Sequence, residues 1–187
     1  MSRRAPTAPL PDPGRVLIRP PERAAFLRLA AWRSFDAELG PTLAALGVEG
    51  PWPFGVSREG TGVVVHRIAP RAVLIRAAGP DRLEVARAAA AAAGLAVVDL
   101  SDAFRVSILE GPGAEAVLAR LVGVALDAEA FPVSAFARTG LHDIPVILRR
   151  AAPQCFELAV PSSLVGSAGE MLASALASVG ERRDTHR

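Results

Sequence analysis

The chain repeats itself at a distance of about 80 residues, and this limits its possible folds more than any single motif does. RIAPRAVLIRAAGPDRLEVARAAA, from Arg67, lies over RRAAPQCFELAVPSSLVGSAGEML, from Arg149. In both, a strand and an arginine precede an Ala-Pro turn, a second strand and a helix start marked by Pro or Ser. FDAELGPTLAALG, from Phe35, likewise resembles PGAEAVLARLVG, from Pro112. Two consecutive strand–helix–strand–strand–helix units follow, and they predict one α+β domain of two similar halves, about 23–95 and 96–181. About four principal helices should cover mixed or antiparallel sheet.

The local signals supply the elements. A strand is expected over 24–33, then a helix capped by Ser34 that stops at Gly47 and is shortened or kinked by Pro41. VEGPWPFGVSREGTG, 48–62, reads as a Gly- and Pro-rich loop. Strands follow at 62–68 and 72–78, a helix from Pro80 to Gly94, and strands at 96–101 and 104–110. A helix from Pro112 to about Val122 precedes strands at 133–139, 144–150 and 155–160, and the last helix runs from the Pro161 turn to Gly180. Residues 1–22 carry six prolines without periodicity and are expected to form a mobile arm; 182–187 are expected to be a charged tail.

Composition excludes several function classes. All 21 basic side chains are arginine, the net charge is only +2, and the arginines are scattered with few aromatics between them. That pattern argues against a nucleic-acid partner. No apolar stretch is long and uninterrupted enough to span a membrane, and the single cysteine, Cys155, fits a reducing cytoplasm.

Candidate chemistry is sparse. Gly111-Pro112-Gly113 satisfies a relaxed dinucleotide fingerprint, but Pro112 has no N–H to aim at a phosphate and reads better as a helix start. His66, His142 and His186 are too dispersed for a short metal motif. Asp99 and Asp102 around Ser101 read as a turn, and Cys155 beside Phe156 as a small buried residue. Gly166-Ser167-Ala168-Gly169 lacks the spacing of a nucleophile elbow. No catalytic, cofactor-binding or metal-ligating set can be assembled from these residues.

From Val97 to Leu176 the sequence resembles the gamma subunit of heterotetrameric sarcosine oxidase. The residues that carry the resemblance are VVDLSDAFRVSILEGPGAEAVLARL, VALDAEAFP, ARTGLHDIPVILRR and FELAVPSS. They place that family's features at Asp99 and Ser101, Gly111-Pro112, Asp127 and Phe131, Thr139, and Val160-Pro161-Ser162-Ser163. Gly123, Ser134 and Ser162 stand where the family commonly has cysteine, glycine and arginine.

The resemblance implies the fold of the folate-binding domain of aminomethyltransferases, two α+β halves with exchanged first strands. It also implies a non-catalytic role beside alpha, beta and delta subunits, in a complex that oxidatively demethylates an N-methyl amino acid and passes the one-carbon unit to tetrahydrofolate. FAD, FMN, NAD, tetrahydrofolate and zinc would belong to those partners and none to this chain. Related complexes for N-methylglutamate or an N-methylated proline, and a stand-alone folate-binding aminomethyltransferase-like protein, are the alternatives. The superfamily's enzymes carry an Asn-x-x-Gly turn where this chain runs Gly140-Leu141-His142-Asp143-Ile144-Pro145. Partner contacts are expected at Trp52, Phe54, Phe131, Pro132, Thr139 and His142, with Trp52 and Phe54 as exposed loop anchors or, alternatively, as a lid on their own domain.

Overall fold

The computed structural model describes residues 16–50 and 52–181; most of the expected arm, the charged tail and His186 lie outside them. Among the described residues ten strands form two five-stranded sheets, and every pairing is antiparallel. The first sheet runs β1 (Leu17–Arg23), β7 (Phe104–Glu110), β10 (Cys155–Pro161), β9 (Ile144–Ala152), β8 (Phe136–Leu141). The second runs β6 (Ala96–Asp99), β2 (Ala25–Ala30), β5 (Ala72–Ala77), β4 (Val63–Ala69), β3 (Ser57–Gly60). Four helices complete the fold: α1 (Gly40–Ala45), α2 (Pro80–Ala92), α3 (Ala114–Leu118) and α4 (Val165–Glu181).

The two strand orders correspond position for position once β1 and β6 change places. Each half therefore gives its first strand to the other's sheet. The crossings are short: one residue, Ala24, separates β1 from β2, and the turn 100–103 separates β6 from β7.

Side-chain alternation sets the layers. On β5, Val73, Ile75 and Ala77 point to one face and pack with Leu39, Leu43, Leu83, Ala86 and Ala90 under α1 and α2. Leu74 points the other way, and with Phe26 it meets Val106, Phe136, Ile147 and Ala159 of the first sheet. The far face of the first sheet packs Leu109, Leu148, Phe156 and Leu158 against α3 and α4. The layers are thus helix, sheet, sheet, helix, and strands such as β5 are apolar on both faces because both are covered.

Several local expectations are revised. Residues 17–22, assigned to the arm, form most of β1; the register shifts between Arg19 and Glu22, where Pro20-Pro21 sits on the sheet edge that tolerates missing donors. The expected loop 48–62 contains β3, whose Ser-Arg-Glu-Gly sequence has no apolar alternation to announce it. The helix after Ser34 begins as a π-helical turn, Phe35–Leu39, and becomes α-helical at Gly40; Pro41 cannot donate back to the Ala37 carbonyl. α3 stops at Leu118, short of Val122, and begins after Gly113, so Pro112 precedes the helix where Pro80 is the first residue of α2. By strand order the Gly111 corner matches the one after β2, and the Gly79-Pro80 corner matches the one after β10. The Gly111 loop is a turn: Gly111 has φ +122, its N–H donates to the Gln154 carbonyl at 2.9 Å, and its carbonyl accepts from Ala114 at 3.0 Å. No helix among the described residues is long and apolar enough to cross a membrane.

Two glycines test the packing in opposite directions. A Cβ on Gly60 would lie 2.2 Å from the Leu46 carbonyl oxygen, whereas one on Gly40 meets nothing within 4 Å. Gly60→Ala should cost about 1–3 kcal/mol in urea unfolding. Gly40→Ala, whose Cβ is unobstructed but whose right-handed helical conformation is disfavoured before Pro41, should change stability by less than about 1 kcal/mol.

Candidate functional site: an inter-sheet cleft and the charges that close its far end

The apolar layer between the sheets is thin, and ion pairs extend it. Glu157 of β10 bonds to Arg76 of β5 at 2.6 Å and to Arg149 of β9 at 3.0 Å. Arg149, 3% exposed, also bonds to Glu59 of β3. Two arginines and two glutamates from both sheets thus neutralise one another. Beside them, His66 of β4 shares a 2.8 Å hydrogen bond through Nδ1 with the Ser57 hydroxyl, and its ring lies 4.9 Å from that of Phe136.

Burial, with Arg149 and Arg76 adding their positive fields, pushes the His66 pKa down to about 3, so the ring is neutral at ordinary pH. Ser57 and His66 are 1% and 3% exposed, which leaves this Ser–His pair with no path to a substrate. It is a buried polar contact.

Away from this cluster the sheets separate and leave an open cleft of about 850 Å³, within the usual size of ligand sites. Its apolar wall comes from Ile68, Leu74, Leu100, Phe104, Pro145 and Ile147. Arg28 reaches it from β2, Arg138 from β8, and Asp143 from the β8–β9 turn; all three are exposed. None of the three has an ion-pair partner within 4 Å among the described residues.

The expected contact residues divide. Trp52 is buried at 3% exposure and packs edge-on against Phe35 at 5.7 Å, so it is a lid on its own domain and not an exposed anchor. Phe54, two residues on, is 51% exposed with the Arg67 guanidinium 4.9 Å from its ring. Arg67 also stacks on Phe35 at 4.1 Å and donates to the Trp52 carbonyl at 2.8 Å, so one side chain shapes the loop. Phe131 is a core residue at 4% exposure, which removes it from any surface. Pro132 is exposed beside Val133, and a bridge between Val56 and Ala135 brings this segment next to the Phe54 loop. Thr139 is half-buried and lines the cleft. His142 is exposed in the two-residue turn between β8 and β9, in left-handed conformation with φ +48.

The remaining candidates are structural. Asp99 accepts the Ser101 N–H at 2.9 Å, the bond that chiefly lowers its pKa, and pairs with Arg87. The Cys155 thiol, half-buried near Glu110 and Glu157, is pushed up by burial and by those carboxylates, away from a reactive thiolate.

Sequence reasoning missed Arg28 and Arg138, single arginines on strands. It also missed the Arg149-Arg150 pair, whose members alternate across β9. Arg149 enters the inter-sheet layer, while Arg150 lies over the Phe156 ring at 4.6 Å and bonds to Glu115 at 2.9 Å and to the Leu126 and Pro153 carbonyls.

No protein-family model and no curated protein sequence matches the chain. Solved structures do. The chain is similar to a chain of heterotetrameric sarcosine oxidase from Corynebacterium sp. U-96, with a TM-score of 0.78 and 27% identity over 88% of this chain and 85% of that one. It also shares the fold of glycine cleavage system aminomethyltransferase T from Bartonella henselae, with a TM-score of 0.63 and 19% identity. That match covers 84% of this chain but only 45% of the aminomethyltransferase. The α+β class and the likeness expected from the sequence hold.

Two outcomes check this geometry. The unfolded chain takes up a proton on His66 near pH 6.5, and the folded chain does not until about pH 3. Stability should be full above pH 6.5 and fall below it, by up to about 1.4 kcal/mol per pH unit from this group. Chemical denaturation of His66→Gln should show that part of the slope removed; an unchanged slope contradicts the assignment. Trp52→Ala should destabilise the isolated chain by about 3–5 kcal/mol in the same assay, as a core truncation and not a surface change.

Proposed function

We propose that this chain is the non-catalytic gamma-type subunit of a cytoplasmic, heterotetrameric, flavin-dependent complex of the sarcosine oxidase type. The complex oxidatively demethylates an N-methyl amino acid and transfers the one-carbon unit to tetrahydrofolate. The carrying observation is the match to a chain of sarcosine oxidase along nearly the whole of both chains. Agreement over 88% of one chain and 85% of the other relates two polypeptides of similar size, not a small chain to one domain of a large one.

The internal chemistry supports a role without catalysis. His66 is neutral, bonded to Ser57 and sealed in, and Glu157 is engaged by two guanidiniums. Alpha, beta and delta subunits would then carry FAD, FMN, NAD, tetrahydrofolate and zinc, and this chain would add surface. Phe54, Pro132 and Val133 form an exposed apolar strip suited to that role.

The test is co-expression with the alpha, beta and delta partners from the same genome. The chain should co-elute with the flavin-coloured assembly, and alone it should be colourless and without sarcosine turnover. Phe54→Ser should weaken co-elution by about tenfold while the chain alone keeps its circular dichroism, since exposed aromatics at interfaces act as anchors. Elution apart from an otherwise complete assembly contradicts the proposal. Saturable binding of tetrahydrofolate by the chain alone would favour the stand-alone aminomethyltransferase-like reading, for which the cleft has the volume.

A further inference from the structure

The cleft is bordered by a strand whose outer edge is only partly used. β8 pairs with β9 through a two-residue turn, so Ala137, Thr139 and Leu141 direct their N–H and C=O groups at β9. The even-numbered residues of β8 face outward, and the parity breaks at Ser134, whose N–H donates inward to the Arg150 carbonyl at 2.8 Å. The Ser134 carbonyl accepts from Ser57, the Phe136 N–H donates to the Gly55 carbonyl, and the His142 N–H donates to the Leu121 carbonyl. Isolated bridges to Val56 at Ala135 and to Val122 at Leu141 take up the two ends of this edge, and between them the outward backbone groups of Arg138 and the Gly140 N–H pair with no strand among the described residues. The other edges differ: β1 carries Pro20-Pro21, and β3 and β6 are four residues long.

This free edge adjoins the cleft's apolar wall of Leu74, Phe104 and Ile147, and two arginines without carboxylate partners, Arg28 and Arg138, approach the cleft from opposite sheets. We infer that the β8 edge at Arg138–Gly140 is a docking strip for an extended segment of a partner protein, apolar at its centre and acidic at its ends. The segment adds as a strand to β8, lays its apolar side chains into the cleft and sets its carboxylates against Arg28 and Arg138. A polypeptide differs from a small carboxylate in also pairing with the outward Arg138 N–H and C=O, which water otherwise satisfies. The inference does not depend on which complex the chain joins.

The test uses the full chain alone and a fluorescein-labelled peptide, Val-Ile-Val flanked by two Glu on each side. Anisotropy should show saturable binding, with the Lys-flanked counterpart binding at least about tenfold more weakly. Arg28→Gln with Arg138→Gln should weaken the acidic peptide by about five- to tenfold. Arg138→Pro, which removes an outward donor and no bond to β9, should weaken it more than Arg138→Gln does. Hydrogen exchange on the wild-type chain should show the Arg138 and Gly140 amides slowed by the peptide, a readout that survives if a variant fails to fold. Absence of binding, equal binding of the Lys-flanked peptide, or unprotected amides would overturn the inference. So would complete displacement by millimolar benzoate, which would mark a small-carboxylate pocket instead.

Discussion

The Glu157 carboxylate holds the two sheets in register. It receives Arg76 from the second sheet and Arg149 from the first, and Arg149 returns to the second sheet through Glu59. Among the described residues, the buried apolar cluster between the sheets is Phe26, Leu74, Val106, Phe136, Ile147 and Ala159, far smaller than the cluster on either helix-facing side. Burying charges is costly, and such a network is tolerable only when charges balance and hydrogen bonds are filled. Here two guanidiniums meet two carboxylates, and the buried Nε–H groups of Arg76 and Arg149 have no partner among the described residues. Replacing the network with apolar side chains would give comparable attraction but no fixed relation between the sheets; the paired charges specify one.

That clamp also determines where the protein can bind anything. The cleft lies beside this layer, and Leu74 and Ile147 belong to both. The exchanged strands reinforce this arrangement, since β1 and β6 tie each sheet to the opposite half through crossings of one and four residues. A chain built this way ties its sheets to each other and exposes its sheet edges, the Phe54 loop and the cleft mouth.

Much of this was legible in the sequence, and the misses share a cause. The duplication, the two Ala-Pro hairpins, the cap at Ser34 and the helix at Pro80 are local signals that neighbouring residues decide. Trp52 and Phe54 are nearly adjacent in one Pro-rich motif and have opposite fates, because Phe35 and Arg67, distant in sequence, enclose the first and only flank the second. β3 is a strand because β4 supplies its partner, and Arg149 and Arg150 are buried because β9 is covered on both faces. Each outcome is settled by tertiary contact, which overrides composition. The resemblance to sarcosine oxidase was carried by residues 97–176, whereas the structural match extends over 88% of the chain.

Whether Glu157 joins the sheets is measured directly by a double-mutant cycle between Arg76→Met and Glu157→Gln. Urea unfolding of the wild type, both single variants and the double variant gives the coupling energy. Groups in contact within one network should couple by about 1–3 kcal/mol, with the double variant less destabilised than the sum of the singles. A coupling within about 0.3 kcal/mol of zero would show that the pair acts independently and would contradict the clamp.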